Sequence, residues 1–549
     1  MKKIILSIVL LITVGCINAQ SPWYHHTTIY QIYPRSYYDS NGDGIGDIQG
    51  IIQKLDYIQS LGFETIWCSP FFKSPQKDFG YDISDYCDIA SEYGTTADAL
   101  QLINEVHKRG MKIVFDMVMN HTSDEHIWFK KDLQRPLEQR SDTTDFYLWR
   151  SKPNNWKSMV SGSAWHYNKE RGQYYYAAFL PFQPDLNYRN PAVKKAMLDN
   201  ARFWLAKGVD GFRLDIFNSV YEDSLCRNNP VSLNFQTQFR KPVYTANLPE
   251  SLGFAEELRA VCDSFGDKLL VGEIVGNRNV SRAYCGEKVN NRLTLAFDFE
   301  MLRFRYSARY FDKLIHHLET DFADPFMPVY VFSNHDRRRG LSRLKGSIEK
   351  VKLLHTMQLT LRGVPCVYYG EEIGMTDLKL PYKTALDPIP HYLKIPRAIM
   401  NLANETLNRD ELRTPMQWNS FVNAGFSSAS KTWLPVHTDF ANVNVEKEIN
   451  DRSSLLFTFV ELLKIRKEYP SFRYGELRII DSKVLKPKIL AYNRIYGKEE
   501  TSVLLNFGNT KKKLIVEKNC NVLFADNAVY DSASGKASFN KYGVLILKK

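Results

Sequence analysis

The chain has 549 residues, of which 44% are hydrophobic and 24% are charged. This composition is typical of a folded globular protein of about two to four domains, and it excludes disorder, collagen and a small disulfide scaffold. The formal net charge is +11. Because Lys and Arg are spread along the chain and no nucleic-acid recognition motif appears, we expect no nucleic-acid partner.

The N-terminus has the features of a targeting segment. Two lysines precede an apolar run at 4–14 that is too short to span a bilayer, and Ile17-Asn18-Ala19 fits a cleavage site. We therefore predict a signal peptide at 1–19 and a periplasmic or secreted protein. Lipidation of Cys16, giving an outer-membrane lipoprotein, is the alternative. We expect no membrane span, because no later segment reaches the roughly 18 consecutive apolar residues required.

Eight short apolar runs follow, and most are succeeded by a helical pattern. Near-continuous apolar runs are typical of parallel strands buried on both faces. The eight runs are Thr28–Tyr33, Thr65–Ser69, Lys112–Met117, Val209–Asp215, Leu269–Glu273, Leu293–Phe297, Pro328–Ser333 and Val364–Tyr369. The helical patterns include Ile51–Leu61, Ala97–Arg109, Ala192–Lys207, Phe254–Phe265 and Ile348–Arg362. The alternation predicts an α/β fold, a (β/α)₈ TIM barrel.

Three departures from this alternation suggest further domains. About 90 residues rich in Trp and Tyr separate the third strand from the fourth, too many for an ordinary connection. A second long insertion follows the eighth strand at Thr376–Trp418, and antiparallel strand patterns begin after about residue 475. We predict a barrel (domain A) at 22–120 and 190–475, an inserted domain B at 121–189 and a C-terminal β-sandwich (domain C) at 476–549.

Three acids end predicted strands. Barrel enzymes carry their function at the carboxyl ends of the strands, and Asp215, Glu273 and Asp336 end or follow the fourth, fifth and seventh strands. Singly, each could be a helix cap or ion-pair partner, but three such acids are costly to desolvate without a task. A nucleophile and an acid/base about 5–5.5 Å apart is the arrangement for retaining glycoside hydrolysis. Arg213 shares a strand face with Asp215 and can hold it ionised, whereas Glu273 must begin protonated.

A loop rich in oxygen ligands precedes the first predicted helix. Asp39, Asn41, Asp43 and Asp47 alternate with small residues, which suits a hard cation such as Ca²⁺. Position 12 of an EF-hand loop would be Gly50, so this is not an EF-hand. A solvated acidic turn is the alternative.

Several longer motifs occur in a fixed order. They are Tyr30–Ser36, Asn120–His126, Gln183–Asn187, Tyr368–Met375 and Arg413–Trp418. With them, the chain resembles the α-amylase superfamily, glycoside hydrolase family 13, and within it the oligo-1,6-glucosidase and α-glucosidase branch. The resemblance extends from about Trp23 to the C-terminus.

The resemblance implies a role for each site residue. Asp215 would be the nucleophile, Glu273 the acid/base and Asp336 the stabiliser of the transition state. The substrate-binding residues would be Asp78, Tyr81, His121, Arg213, His335 and Arg413. Among these, Asp78 and Arg413 would hold the far edge of a terminal glucose and Tyr81 would stack on it. A structural Ca²⁺, or Mg²⁺, would bind Asp39, Asn41, Asp43, Asp47 and the carbonyl of Ile45.

The function implied is that of a retaining, exo-acting α-glucosidase acting on short oligosaccharides. Ile216, directly after Asp215, resembles the branched aliphatic residue of relatives that favour α-1,6 linkages, and simple core packing is the equal alternative. Other readings are a transglycosylase or isomerase of the sucrose isomerase or trehalose synthase type, and a non-catalytic relative like transporter heavy chains. We expect a monomer, with a dimer as the alternative. Arg337-Arg338-Arg339 is more basic than the same stretch in relatives.

Overall fold

A computed structural model describes residues 22–234, 237–288, 291–480 and 487–549. The predicted signal peptide and Cys16 lie outside these ranges. Within them, no helix is long and apolar enough to cross a membrane. Every cysteine in the same ranges is a free thiol.

Eight parallel strands form a closed barrel, which confirms the predicted fold. In chain order they are β1 (Ile29–Ile32), β2 (Thr65–Cys68), β3 (Lys112–Val118), β4 (Gly211–Asp215), β5 (Leu269–Gly272), β6 (Leu295–Ala296), β7 (Val329–Val331) and β8 (Val364–Tyr368). Hydrogen bonding follows the order β6-β5-β4-β3-β2-β1-β8-β7, and a parallel bridge between Phe297 and Val329 closes β6 against β7. Their residues are almost all buried, which explains the apolar runs in the sequence.

Helices surround the barrel and include all five that the sequence predicts. They span Ile48–Gln53, Leu55–Leu61, Thr96–Lys108, Pro191–Ala206, Pro249–Asp263, Arg278–Tyr284, Ala308–Asp321, Gly340–Arg343, Ile348–Thr360, Leu455–Glu468 and Pro470–Tyr474. Local signals set their starts: Thr95 and Asp98 form a reciprocal capping box, and Ser454 and Asn190 accept backbone N–H bonds at their own helix starts.

Two insertions lie at the carboxyl ends of the strands. Between β3 and β4, the helix Ile127–Leu133 accompanies a three-stranded antiparallel sheet of Trp149–Arg150, Gln173–Tyr176 and Trp165–Asn168. Trp156, Trp165 and Tyr176 pack into a small core there. After β8, the second insertion contains helices at Ile389–Tyr392 and Arg397–Leu402 and a 3₁₀ turn at Arg409–Leu412. Residues from both insertions therefore reach the barrel mouth, where barrel enzymes bind substrate.

The C-terminal strands form one antiparallel sheet. They are β9 (Glu476–Ile479), β10 (Ile489–Tyr496), β11 (Glu499–Asn506), β12 (Lys512–Ile515), β13 (Asn521–Asp531) and β14 (Lys536–Lys548). The sandwich of two packed layers stays a prediction. The long strand β14 pairs with β11 through its second half and with β12 through its first, so all six strands belong to one hydrogen-bonded sheet.

Candidate active site

The strand register places Asp215 and Glu273 side by side. In the β4–β5 pair Leu214 faces Gly272, so the next residue of each strand is an acid at the same edge of the barrel. The Glu273 backbone N–H donates to the Leu214 carbonyl at 2.9 Å, and Phe217 donates to the Glu273 carbonyl at 3.1 Å. These main-chain bonds fix the spacing of the two acids before any side-chain contact is counted.

Arg213 joins both acids to a third. Its fully buried guanidinium donates to Asp215 Oδ1 at 2.8 Å and to the two carboxylate oxygens of Asp116 at 2.8 and 3.0 Å. Its other terminal nitrogen contacts Glu273 Oε2. One positive charge therefore faces a cluster of three carboxyl groups. Because it cannot balance three negative charges, the cluster favours keeping a proton on one of them.

Glu273 is the group that keeps a proton. Burial raises the pKa of Glu273 to about 8; Arg213 opposes this shift, and the charges of Asp215 and Asp336 add to it. Burial likewise raises the pKa of Asp116 to about 7, against the effect of Arg213. At neutral pH the cluster thus offers a protonated carboxyl group next to an arginine-bound carboxylate, which is what a general acid and a nucleophile require.

Asp336 has the opposite electrostatics. Burial works to raise its pKa, but the His335 ring and the guanidinium groups of Arg409 and Arg413 outweigh it, so the pKa of Asp336 is well below its usual range. Arg413 donates to Asp336 Oδ1 at 2.9 Å and Arg409 does so at 3.2 Å. A permanently ionised carboxylate at this position can stabilise positive charge that develops on a sugar ring.

The arginine beside Asp78 is not the predicted one. We expected Asp78 and Arg413 to hold one edge of the sugar together, but Arg409 contacts Asp78 Oδ1 at 2.5 Å. Arg413 is fully buried behind Asp336 and also donates to the His335 carbonyl. The reason is the 3₁₀ turn at Arg409–Leu412, which separates the two guanidinium groups. Arg409 is held in turn by Asp387, a fully buried acid of the second insertion.

Tyr81 and the two histidines form one buried network. Gly80 has a φ of +101°, and an added Cβ would lie 2.5 Å from the Pro70 carbonyl oxygen, so only glycine fits the turn that presents Tyr81. The Tyr81 ring lies parallel to the His335 ring at 5.3 Å, and its hydroxyl donates to Asp116 at 3.2 Å. His121 Nε2 lies 3.2 Å from the Tyr81 carbonyl oxygen. Burial lowers the pKa of His335 to about 3 and of His121 to about 4, so both rings are neutral.

Ile216 has a left-handed backbone conformation. Its φ of 36° and ψ of 45° are unusual for a β-branched residue, and such a conformation costs roughly 1–3 kcal/mol. The residue is half-buried. The strain turns the chain sharply after Asp215, which leaves this acid at the end of its strand.

The basic run after Asp336 is mostly structural. Arg338 donates to Asp377 and Asn404, and Arg339 is buried and donates to the Tyr369 carbonyl. Arg337 lies 3.6 Å from Glu405. These contacts tie the loop after β7 to the second insertion.

The predicted metal loop is compact and internally hydrogen-bonded. Asp39 accepts from the N–H groups of Gly42 and Gly44, and Asp47 caps the next helix through the Gly50 N–H at 2.6 Å. Asn41 accepts from the Asp43 N–H, and Asp43 accepts from the Ile45 N–H. In the part of the chain that the structure describes, no three His, Cys, Asp or Glu side chains are grouped to hold a metal ion. The oxygen-only donor set fits a hard cation by type, and the calcium site stays a prediction.

Three residues of the site were missed from the sequence: Asp116, Arg409 and Gln31. Asp116 and Gln31 are polar residues inside apolar strands, where a buried polar group needs a partner, and this was a usable signal. Arg409 carried no such signal, because its partners lie far away in sequence.

Comparison with known proteins agrees with this geometry. A model of the alpha-amylase catalytic domain matches residues 31–475. The oligo-1,6-glucosidase of Parageobacillus thermoglucosidasius is 36% identical over 519 residues, which covers 88% of this chain and 90% of that protein. The crystal structure of the alpha-glucosyl transfer enzyme XgtA has a TM-score of 0.87 at 34% identity, covering 96% of this chain and 100% of that one. A trehalulose synthase variant in complex with Tris also has a TM-score of 0.87, at 30% identity and the same coverage.

Proposed function

Because this chain belongs to the alpha-amylase family and is a glycoside hydrolase, we propose that it is a retaining, exo-acting α-glucosidase of short oligosaccharides. The observation that carries the proposal is the contact of one buried guanidinium, that of Arg213, with both Asp215 and Glu273. A shared guanidinium holds two carboxyl groups at the short range that a retaining mechanism needs.

The proposed reaction has two steps. In the first, Asp215 attacks the anomeric carbon while the proton of Glu273 passes to the glycosidic oxygen, so the leaving sugar departs neutral. In the second, water attacks the glycosyl ester, and Glu273 takes its proton and is restored. Asp336 stays ionised throughout and stabilises the positive charge that develops on the sugar ring in the transition state of each step.

We infer the exo-action from a bridge of ion pairs along one side of the site. Arg409 bridges Asp78, Asp336 and Asp387, and the insertion that carries it packs across this side. A sugar bound there has no path for further units beyond its non-reducing end. Asp78 and Arg409 then offer an acceptor and a donor to its hydroxyl groups.

We further propose a preference for α-1,6 over α-1,4 linkages. The half-buried side chain of Ile216 adjoins the nucleophile, and a relative at 36% identity is named oligo-1,6-glucosidase. An isomerase of the trehalulose synthase type is the second candidate, because one such structure superposes over 96% of this chain. In that reaction a sugar hydroxyl replaces water in the second step.

A substrate panel tests these proposals together. Isomaltose, maltose, sucrose, trehalose and panose are incubated with the protein, and products and the first-formed anomer are followed by NMR. We expect α-glucose to be released first, fastest from isomaltose. First formation of β-glucose would contradict retention, and conversion of sucrose to an isomeric disaccharide would favour the isomerase. Asp215→Asn and Glu273→Gln are each expected to abolish turnover while the thermal unfolding curve is kept.

Two proposals concern residues away from the reaction. We propose that the loop of Asp39, Asn41, Asp43, Ile45 and Asp47 binds a structural Ca²⁺, on the chemistry of its oxygen donors. We also propose that residues 1–19 direct export, which the N-terminal sequence of the mature protein, recovered from the periplasm or medium, tests directly.

A further inference from the structure

Gln31 is a buried polar residue inside an apolar strand. It lies on β1, is fully buried, and its Nε2 is 2.8 Å from His335 Nδ1 and 3.2 Å from Ser69 Oγ. A side chain of this kind is kept in a core only where its hydrogen bonds are made, so the direction of these bonds is informative.

The surroundings fix the direction of the amide. Among the described residues, Gln31 Oε1 has no hydrogen-bond partner. If the amide were turned over, the NH₂ group with its two hydrogens would occupy that unpartnered position instead. A buried donor without a partner is costlier than an acceptor without one, so Gln31 Nε2 donates to His335 Nδ1.

This bond determines which nitrogen of His335 carries the proton. The ring is neutral, so it has a single N–H. With Nδ1 accepting, the hydrogen lies on Nε2, which is 3.2 Å from Asp336 Oδ2 and 2.5 Å from the Tyr81 hydroxyl. Tyr81 then donates onward to Asp116, and every group of the network has a consistent direction.

We propose that Gln31 is a positioning residue that holds His335 in the Nε2–H tautomer, so that the ring turns its single N–H, shared between the Tyr81 hydroxyl and Asp336, towards the site. The proposal rests on the proposed glucosidase function of the same site. A ring with the hydrogen on Nδ1 would turn a lone pair towards the Asp336 carboxylate and repel it.

Other charges also face this ring. Asp336 raises the pKa of His335, whereas Arg413, Arg213 and Arg409 lower it. The hydroxyl-bearing rings of Tyr81 and Tyr33 stack beside it. Each variant is therefore compared with the wild type at the same pH, so that titration of these groups and of Glu273 cancels in the ratio.

Two substitutions separate positioning from simple packing. Gln31→Leu removes the donor, and we expect kcat to fall by about 10-fold to 100-fold while KM changes by less than about 3-fold, because the lost interaction acts in the transition state. Gln31→Glu places a carboxylate against Nδ1, which draws the hydrogen away from Nε2 at high pH. As the pH falls, a second proton restores the Nε2 donor, so the ratio of variant to wild-type kcat is expected to rise at least 10-fold from pH 8 to pH 5.5.

A second glutamine–histidine pair supplies a matched control. Gln358 and His355 are both buried on the helix Ile348–Thr360, where Gln358 Oε1 lies 2.8 Å from His355 Nδ1. Gln358→Leu and Gln358→Glu are expected to lower the unfolding temperature to a similar extent, without any pH-dependent change in relative kcat.

The tautomer can also be determined by NMR, without an activity assay. In protein labelled with ¹⁵N-histidine, the His335 signals, assigned by their loss in His335→Gln, are expected to show a protonated Nε2 and an unprotonated Nδ1. A protonated Nδ1 in the wild type would overturn the proposal even if Gln31→Leu failed to fold. Equal, pH-independent losses in both Gln31 variants, or kcat within 2-fold of wild type, would also overturn it. Failure of the wild type to release glucose, with the expected tautomer present, would count against the proposed function alone.

Discussion

Replacement of Arg409 by Met is the substitution whose cost the structure defines best. The side chain is 11% exposed and bridges Asp387, which is 0% exposed, and Asp78, which is 8% exposed. Both acids lose the guanidinium that contacts them in the variant, whereas Asp336 keeps Arg413. Asp387 keeps N–H bonds from residues 409 and 389, and Asp78 keeps one from Gln183.

The expected loss of stability is large for a single side chain. Breaking a buried ion pair by removing one partner costs about 3–5 kcal/mol, because a charge is left in a poorly solvated place. A surface pair costs about 0–1 kcal/mol. Arg109→Met is the control, since its two acid partners, Asp56 and Glu105, are both accessible to solvent, with side chains 81% and 22% exposed. Addition of Asp387→Asn to Arg409→Met is expected to return part of the loss.

The pH dependence gives a second, independent check. Burial already raises the pKa of Asp78 in the folded protein and the guanidinium of Arg409 opposes this shift, so the pKa of Asp78 is higher still in the variant. The folded variant then takes up protons that the unfolded chain does not, so the deficit relative to wild type shrinks as the pH falls from 7 to 5. Equilibrium denaturation of variant and wild type at pH 7 and pH 5 measures this difference in the free energy of unfolding. A deficit below about 1 kcal/mol at pH 7, or one equal at both pH values, would refute the reasoning.

The other predictions concern the reaction and the loop. We expect kcat/KM to fall as the pH rises through about 8, because Glu273 must be protonated and loses its proton there; an alkaline limb near pH 6 would contradict this. Ile216→Thr is expected to shift the isomaltose-to-maltose ratio of kcat/KM towards maltose by about 10-fold, and an unchanged ratio would mean that Ile216 only packs. Chelation is expected to lower the unfolding temperature of the wild type, since a ligand at 100 Kd stabilises by about 2.7 kcal/mol, but not that of Asp43→Ala. An equal response of both proteins to chelator would contradict a cation at this loop.

The barrel could be predicted because its strands have one simple physical requirement. Strands such as β1 and β8 are buried on both faces, so nearly every residue is apolar and the run itself marks the strand. The residues at which the strands begin and end were less predictable. The sequence predicts Leu293–Phe297 for β6, and only Leu295–Ala296 form the strand, although Thr294 and Phe297 still donate backbone N–H bonds to the Leu270 and Gly272 carbonyls of β5. The pairing of β14 with three other strands could not be predicted, because the length of β14 determines how many neighbours it contacts.

In the site, too, residues on strands could be predicted and contacts between connecting segments could not. Asp215 and Glu273 could be predicted because they are fixed to the ends of rigid strands, so the register alone brings them together. The pairing of Asp78 with Arg409 could not, because it forms only when the loop after β2 meets the second insertion. Arg409 and Arg413 are four residues apart and chemically identical, and only the turn between them decides which one reaches Asp78.

This division has a consequence for how the molecule can change its specificity. Arg213, Asp215 and Glu273 are locked by strand register and by one another, so substitutions there act on the chemical step. Arg409 and Asp387 belong to an insertion outside the barrel, so we expect changes in that segment to alter the Asp78 side of the site without moving Asp215 or Glu273. We therefore expect substitutions in the second insertion to act mainly on chain length and KM, and substitutions at strand ends to act mainly on kcat.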